Sequence, residues 1–280
     1  MKQKIWEINR KMNNIYKQKH GLWLSITFAS FAINDEEIKS RLYDFSMIAF
    51  RHMKWLGSDI LEKGDNYDYY RDMELLKRAT VFEIIHALVK ELEDIQTAYP
   101  QTILGERVRT DDAYLLEYLS QVLKNETNNK EITAFNMQRK WLDKDLAQEQ
   151  IDALTLFLFE ESYKEYELIL IYAYMQARTE DALHFNVFQD LIDESHFHLK
   201  SFGNMMAKLG ILTLPRELHE MTYVVKDLAQ FVVDGIAEEE AAKVMCKELS
   251  DAIKDEELSK FFDFVNYQES YHIELMKKLL

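Results

Sequence analysis

Near the C-terminal end, Phe262, Val265, Glu269, His272, Met276 and Leu279 follow one another in steps of three and four residues. That spacing marks one face of a helix, so Glu269 and His272 sit inside a stripe that should face a core. A Glu and a His three apart on one helix can chelate one metal ion or span two, as in carboxylate-bridged di-metal sites of helical bundles. The preceding stripe is Leu228, Val232, Gly235, Glu239, Ala242, Cys246, Leu249 and Ile253, and Glu239 interrupts it in the same way. Glu239 and Glu269 are equally far from the turn at Lys254, so in an antiparallel pair they face each other.

Two earlier segments repeat the anomaly. One stripe runs Leu154, Leu158, Glu161, Glu165, Leu168, Tyr172, Met175; the next runs Phe188, Leu191, Ser195, Phe202, Met206, with Glu194 and His198 on its flank. Counting from the turn at Thr179-Glu180 sets Glu165 level with Glu194 and Glu161 level with His198. Burying such a set of carboxylates without cations costs several kcal/mol each. Divalent ions compensate that charge, and Glu oxygen with His nitrogen suits iron or manganese. Plainer readings exist for each part. Glu161 and Glu165 face water if the core side of their helix lies elsewhere. Glu238 to Glu240 form a charge run of the kind usually solvated, and only the stripe selects Glu239. His184 and His196 read as surface or packing residues. On those readings the chain is a metal-free helical interaction module.

The elements that must hold these residues are long helices. The 280 residues include only seven Gly and two Pro, whereas a β-rich chain needs a turn every ~8–12 residues. Hydrophobic residues make up 48% and charged residues 30%, enough to bury a sizeable core. Polar breaks fall at Asn34-Asp35, Gly64 to Asn66, Tyr99 to Arg109, Asn125 to Asn129, Thr179-Glu180, Gly210 to Pro215 and Lys254-Asp255. The segments between them are commonly about 25–35 residues, or roughly 40–50 Å of helix, the length used by up-down bundles. Asn34, Thr179 and Asp255 mark N-cap neighbourhoods. The fold class expected is all-α, two antiparallel helical bundles in tandem, residues 1–145 and 146–280, joined at the charged stretch near Trp141 to Ala147. Phe50 to Leu56 and Glu194 to Leu199 form a weak echo between the halves.

With these residues in place, the second half resembles the ferritin-like superfamily, the di-iron and di-manganese four-helix bundles that include rubrerythrins and bacterioferritins. The family pattern is Glu, Glu-x-x-His, Glu, Glu-x-x-His on successive helices. Glu165 matches the first Glu, Glu239 the third-helix Glu, and Glu269 with His272 the final motif. The second helix departs from it. Asp193-x-x-His196 keeps the spacing but turns Asp193 away from the stripe. Glu194 and His198 face the core better but are four apart, which calls for a π-bulge. Tyr172 fits the Tyr that rubrerythrin-like members place seven residues after the first Glu, whereas Cys246 replaces its counterpart. In the first half Ala49 stands where the second-helix Glu would be, three before His52. Glu83 of Glu83-Ile-Ile-His86 points outward, and His20, His52 and His86 read as packing or hydrogen-bonded, so that half is a degenerate or plain bundle.

The resemblance implies two iron ions, manganese being the alternative, and redox chemistry: ferrous oxidation, peroxide reduction or O₂ activation. Glu239 or Glu194 would bridge, with His198 and His272 as terminal nitrogens. A non-catalytic iron-binding role is the other reading of the same site. With the single Cys246 the chain has no rubredoxin module, so electrons would come from an external donor. The net charge of −15 argues against nucleic acid or anionic membrane as partner. With no signal peptide visible and no apolar run near membrane length, a soluble cytoplasmic protein is expected, with a homodimer as an open assembly.

Overall fold

The computed structural model describes residues 2–70, 80–125, 132, 138–211 and 217–280. Among them there are nine α-helices and no strand. They are α1 (Lys2–Ala32), α2 (Glu36–Glu62), α3 (Val81–Gln96), α4 (Ile103–Asn125), α5 (Gln148–Gln176), α6 (Ala182–Lys208), α7 (Glu220–Tyr223), α8 (Leu228–Ala252) and α9 (Glu256–Lys277). No helix among the described residues is long and apolar enough to cross a membrane.

Helix starts are set by carboxylates that accept otherwise unpaired backbone N–H groups. Asp35 accepts from Ile38, Asp181 from Leu183 and His184, Asp227 from Gln230, and Asp255 from Leu258. Two of the caps lie one or two residues past the expected Asn34 and Thr179. The break expected over Tyr99 to Arg109 is shorter, because α4 already begins at Ile103. Gly105 permits this: a Cβ there would stand 2.1 Å from the Pro100 carbonyl oxygen, so only glycine lets the helix start so close to the preceding turn. The breaks expected at 126–129 and 212–215 lie outside the described residues.

The chain divides into two compact units, Met1–Asn136 with Arg216–His219, and Met137–Pro215 with Glu220–Leu280. The stretch around Trp141, expected to be a joint at the edge of the first half, therefore belongs to the second unit. Trp141 is buried in that unit's core beside Leu154, Phe202, Leu249 and Phe262, and Lys144 pairs with Asp255 and Glu257, each at 2.8 Å.

Within each unit the helices pack in the same order. In the first, α1 lies against α2, α3 against α4, α1 against α3 and α2 against α4. In the second, α5 lies against α6, α8 against α9, α5 against α8 and α6 against α9. Contacts such as Gln176 with Phe185, Asn266 with Lys243 and Gln150 with Ala252 make the neighbouring helices of the second unit antiparallel. Consequently α6 and α8 run in the same direction, and the end of α6 and the start of α8 lie at opposite ends of the unit. The lower part of this core is aromatic, with Phe157 edge-on to Phe202 and Phe262. The upper part holds the carboxylates.

Candidate metal centre

The expected α9 face is the buried face: Phe262, Val265, Glu269, His272 and Met276 are all sequestered. On α8 the same holds for Val232, Glu239, Ala242, Cys246 and Leu249. On α5 both Glu161 and Glu165 are buried, and on α6 His198 is fully buried with Glu194 half-buried beside it. All seven residues singled out in the sequence belong to the second unit, and most meet directly.

His198 Nδ1 stands 2.8 Å from Glu165 Oε1 and 3.8 Å from Glu269 Oε1. His272 Nδ1 stands 2.8 Å from Glu269 Oε2 and 3.8 Å from Glu239 Oε1, while its Nε2 is 3.8 Å from Glu194 Oε2. The two imidazoles are 5.4 Å apart, centroid to centroid. Glu161 is the outlier; it pairs at 2.9 Å with Lys164, one turn along α5. The observed register joins Glu165 to His198, about one turn away from the expected pairing of Glu161 with His198. Asp193 is exposed and accepts from Gln189, and His196 is buried. The π-bulge expected in α6 is absent, since Ala182–Lys208 is continuous α-helix. The bulge is unnecessary because Glu194 faces His272 directly and reaches His198 through an intermediary. His198 Nε2 donates to Gln268 Oε1 at 3.2 Å, and Gln268 Nε2 donates to Glu194 Oε2 at 2.7 Å. Gln268 was not foreseen, although it lies one turn before His272 and so shares its face. Lys164 was missed too, its partner being visible only as an i,i+3 neighbour.

Charge coupling within the cluster is strong. Burial pulls the His198 imidazole down, but Glu165 and Glu269 outweigh it and hold it up at about 9. The same contest at His272 is won by Glu194, Glu239 and Glu269, which carry it to about 12. Burial, reinforced by Glu239 and opposed by His272, pushes Glu269 up to about 8. Burial also raises Glu161 against the pull of Lys164, whereas His272 holds Glu194 below its ordinary range. Burial and the nearby carboxylates drive the Tyr172 phenol far upward, and the buried Cys246 thiol is raised for the same reasons.

The donor set fits a metal. One ligand atom each from His198, Glu269 and His272 lie within 4.8 Å of one another. Two nitrogen or oxygen ligands at ~2.1 Å from one ion stand at most ~4.2 Å apart, so small side-chain rotations close the difference. Glu165 Oε2 and His272 Nε2 are buried without a hydrogen-bond partner, donor atoms that an ion would satisfy. Beside the cluster a cavity of about 310 Å³ is lined by Glu161, Glu165, Tyr172, Glu239 and Glu269.

Set against models of known families, curated proteins and solved structures, the chain finds no match. What the centre can do follows from its donor atoms.

Proposed function

We propose that the second unit is a ferritin-like bundle holding two iron ions, or two manganese ions, at this cluster, and that the centre is redox-active towards O₂ or peroxide with electrons from an external donor. Supporting it is the convergence of five carboxylates and two imidazoles from four helices whose neighbours are antiparallel, an arrangement shared with ferritin-like proteins. Glu165, Glu239, Glu269, His198 and His272 would form the inner ligand set, with Glu194 completing it. When bound, such ions supply one-electron redox chemistry and polarise O₂ or peroxide. The protein's own part is to hold the oxygens in place, to release the imidazole protons, and to fix His198 through the Gln268–Glu194 relay. An outer partner of this kind sets which ring nitrogen remains protonated. Glu161, tied to Lys164, would stand at the edge.

One observation favours a metal-free interaction module instead. Both imidazoles already lie 2.8 Å from a carboxylate, so the cluster can balance part of its charge internally as imidazolium–carboxylate pairs. Elemental analysis of the full chain purified without chelator separates the two readings. About two equivalents of iron or manganese are expected; a metal content no higher than that of a chelator-treated control would leave the metal-free reading. Peroxide turnover by the loaded protein then separates a redox enzyme from a protein that only binds iron.

A further inference from the structure

A centre that handled only O₂ or peroxide would need room for one or two small molecules, each about the volume of a water, ~30 Å³. The cavity beside the cluster holds about 310 Å³, within the range of organic-ligand pockets, ~300–1,000 Å³. Between the carboxylates at its two ends, part of the wall is apolar, made by Leu168, Ile171, Phe231 and Met276, a surface suited to an organic body rather than to a hydrated ion. The exposed Asp234 and Glu238 and the half-buried Glu167 ring its outer part, and Lys164 is the one basic residue in the lining. At the inner end Glu165 leaves its buried Oε2 without a hydrogen-bond partner. Gly235 keeps the space open. A Cβ there would come within 2.3 Å of the Met276 methyl group, and a larger side chain would fill the cavity.

We infer that this cavity binds an organic amine, an ammonium group on an apolar body of roughly ten heavy atoms, with the body along Leu168, Ile171, Phe231 and Met276 and the charge towards Asp234, Glu238 and Glu167. The inference rests on the metal reading in one respect: ions bound at Glu165, Glu239 and Glu269 would neutralise the inner end and leave the outer acids to select the cation. An anionic ligand of the same shape meets those acids and is rejected.

The test is calorimetric titration of the full chain, zinc-loaded and chelator-treated, with phenylpropylamine, phenylpropanol and phenylpropanoate. The amine should saturate at one equivalent in the zinc-loaded protein, the alcohol more weakly, and the carboxylate not at all. Gly235→Leu should weaken amine binding roughly tenfold or more while zinc stoichiometry stays the same, which also reports that the variant is folded. Asp234→Asn with Glu238→Gln should weaken the amine about two- to fivefold and leave the alcohol unchanged. Absence of saturable amine binding, equal binding of amine and carboxylate, or an unaffected Gly235→Leu variant would each overturn the inference. Amine binding without zinc binding would support the pocket and sink the metal centre; zinc binding without amine binding would do the reverse.

Discussion

Both units bury charge among antiparallel helices, and they neutralise it in opposite ways. In the first unit Lys19, wholly buried on α1, bonds Asp112 of α4, and Tyr99 donates to the other Asp112 oxygen. His52 Nε2 lies 3.0 Å from Asp111, which Arg107 approaches to 3.3 Å. Two aspartates thus meet Lys19, whose ammonium burial pulls down and Asp112 holds up, and Arg107, so the charge is balanced by groups of the chain itself. In the second unit five carboxylates face one lysine and two histidines, whose charge depends on protonation. His52 and His198 lie equally far past the N-caps of α2 and α6 (35 to 52 and 181 to 198), yet they are driven apart. Burial and the Lys19 ammonium press His52 down to about 3, whereas carboxylates lift His198 to about 9. The same residue at the same helical position becomes a neutral acceptor or donor in one setting and a displaceable cation in the other. What decides is the balance: burial joined by Lys19, Arg51 and Arg107 outweighs Asp112 at His52, whereas Glu165 and Glu269 outweigh burial at His198.

The contrast breaks most completely if metal binding depends on the wrong unit. Glu269→Ala with His272→Ala should abolish bound metal by elemental analysis, while His52→Ala should leave the stoichiometry unchanged; equal losses would end the distinction. Next in size, Asp112→Ala strands the buried Lys19 and should cost ~3–5 kcal/mol in chemical denaturation. Glu239→Gln in the metal-free protein should cost less than Asp112→Ala, because the carboxylate that His272 and Glu269 hold ionised against burial also repels Glu269. A loss at Glu239 as large as that at Asp112 would mean that its carboxylate is structural. Gln268→Ala should lower metal affinity about 10–100-fold by freeing His198, with stoichiometry and helix content retained.

The smallest effect sharpens the comparison through pH. His198 and His272 are raised above the ordinary 6.5, so their contribution to apo stability is present below 6.5 and is lost as pH rises through about 9 for His198 and about 12 for His272. His52 is depressed, so its contribution is present above 6.5 and is lost as pH falls towards about 3. Local hydrogen exchange should therefore show the first unit loosening in acid and the metal-free second unit loosening in alkali. Metal affinity should rise with pH over the neutral range, since binding displaces the imidazole protons.

The α9 stripe was readable because helical periodicity places Glu269 and His272 on the buried face whatever else surrounds them. Glu239 was readable from the same period, against the charge run that contains it. The relay through Gln268 was not, because sequence spacing judges Glu194 by direct reach and cannot see a neighbouring helix lending an amide. Lys19 was hidden for a related reason. It stands in Lys17-Gln-Lys-His20, which reads as an ordinary polar stretch, and its partner Asp112 is 93 residues away. The start of α4 was obscured by Pro100 and Gly105, which usually mark loops and here let a helix begin against a turn.

The division of the centre between two hairpins bears on how it is reached in time. Glu161, Glu165, Glu194 and His198 lie on α5 and α6, and Glu239, Glu269 and His272 on α8 and α9. Each hairpin closes over a short connection and should form early, but their docking joins residues far apart in sequence, such as Glu165 and Glu269, and so comes late. Docking brings two acidic faces together before any ion can be shared between them. In the metal-free chain this repulsion belongs to the barrier, so added salt, by screening it, should speed refolding measured by tryptophan fluorescence. A divalent ion already held by one hairpin would act as the bait that draws in the other.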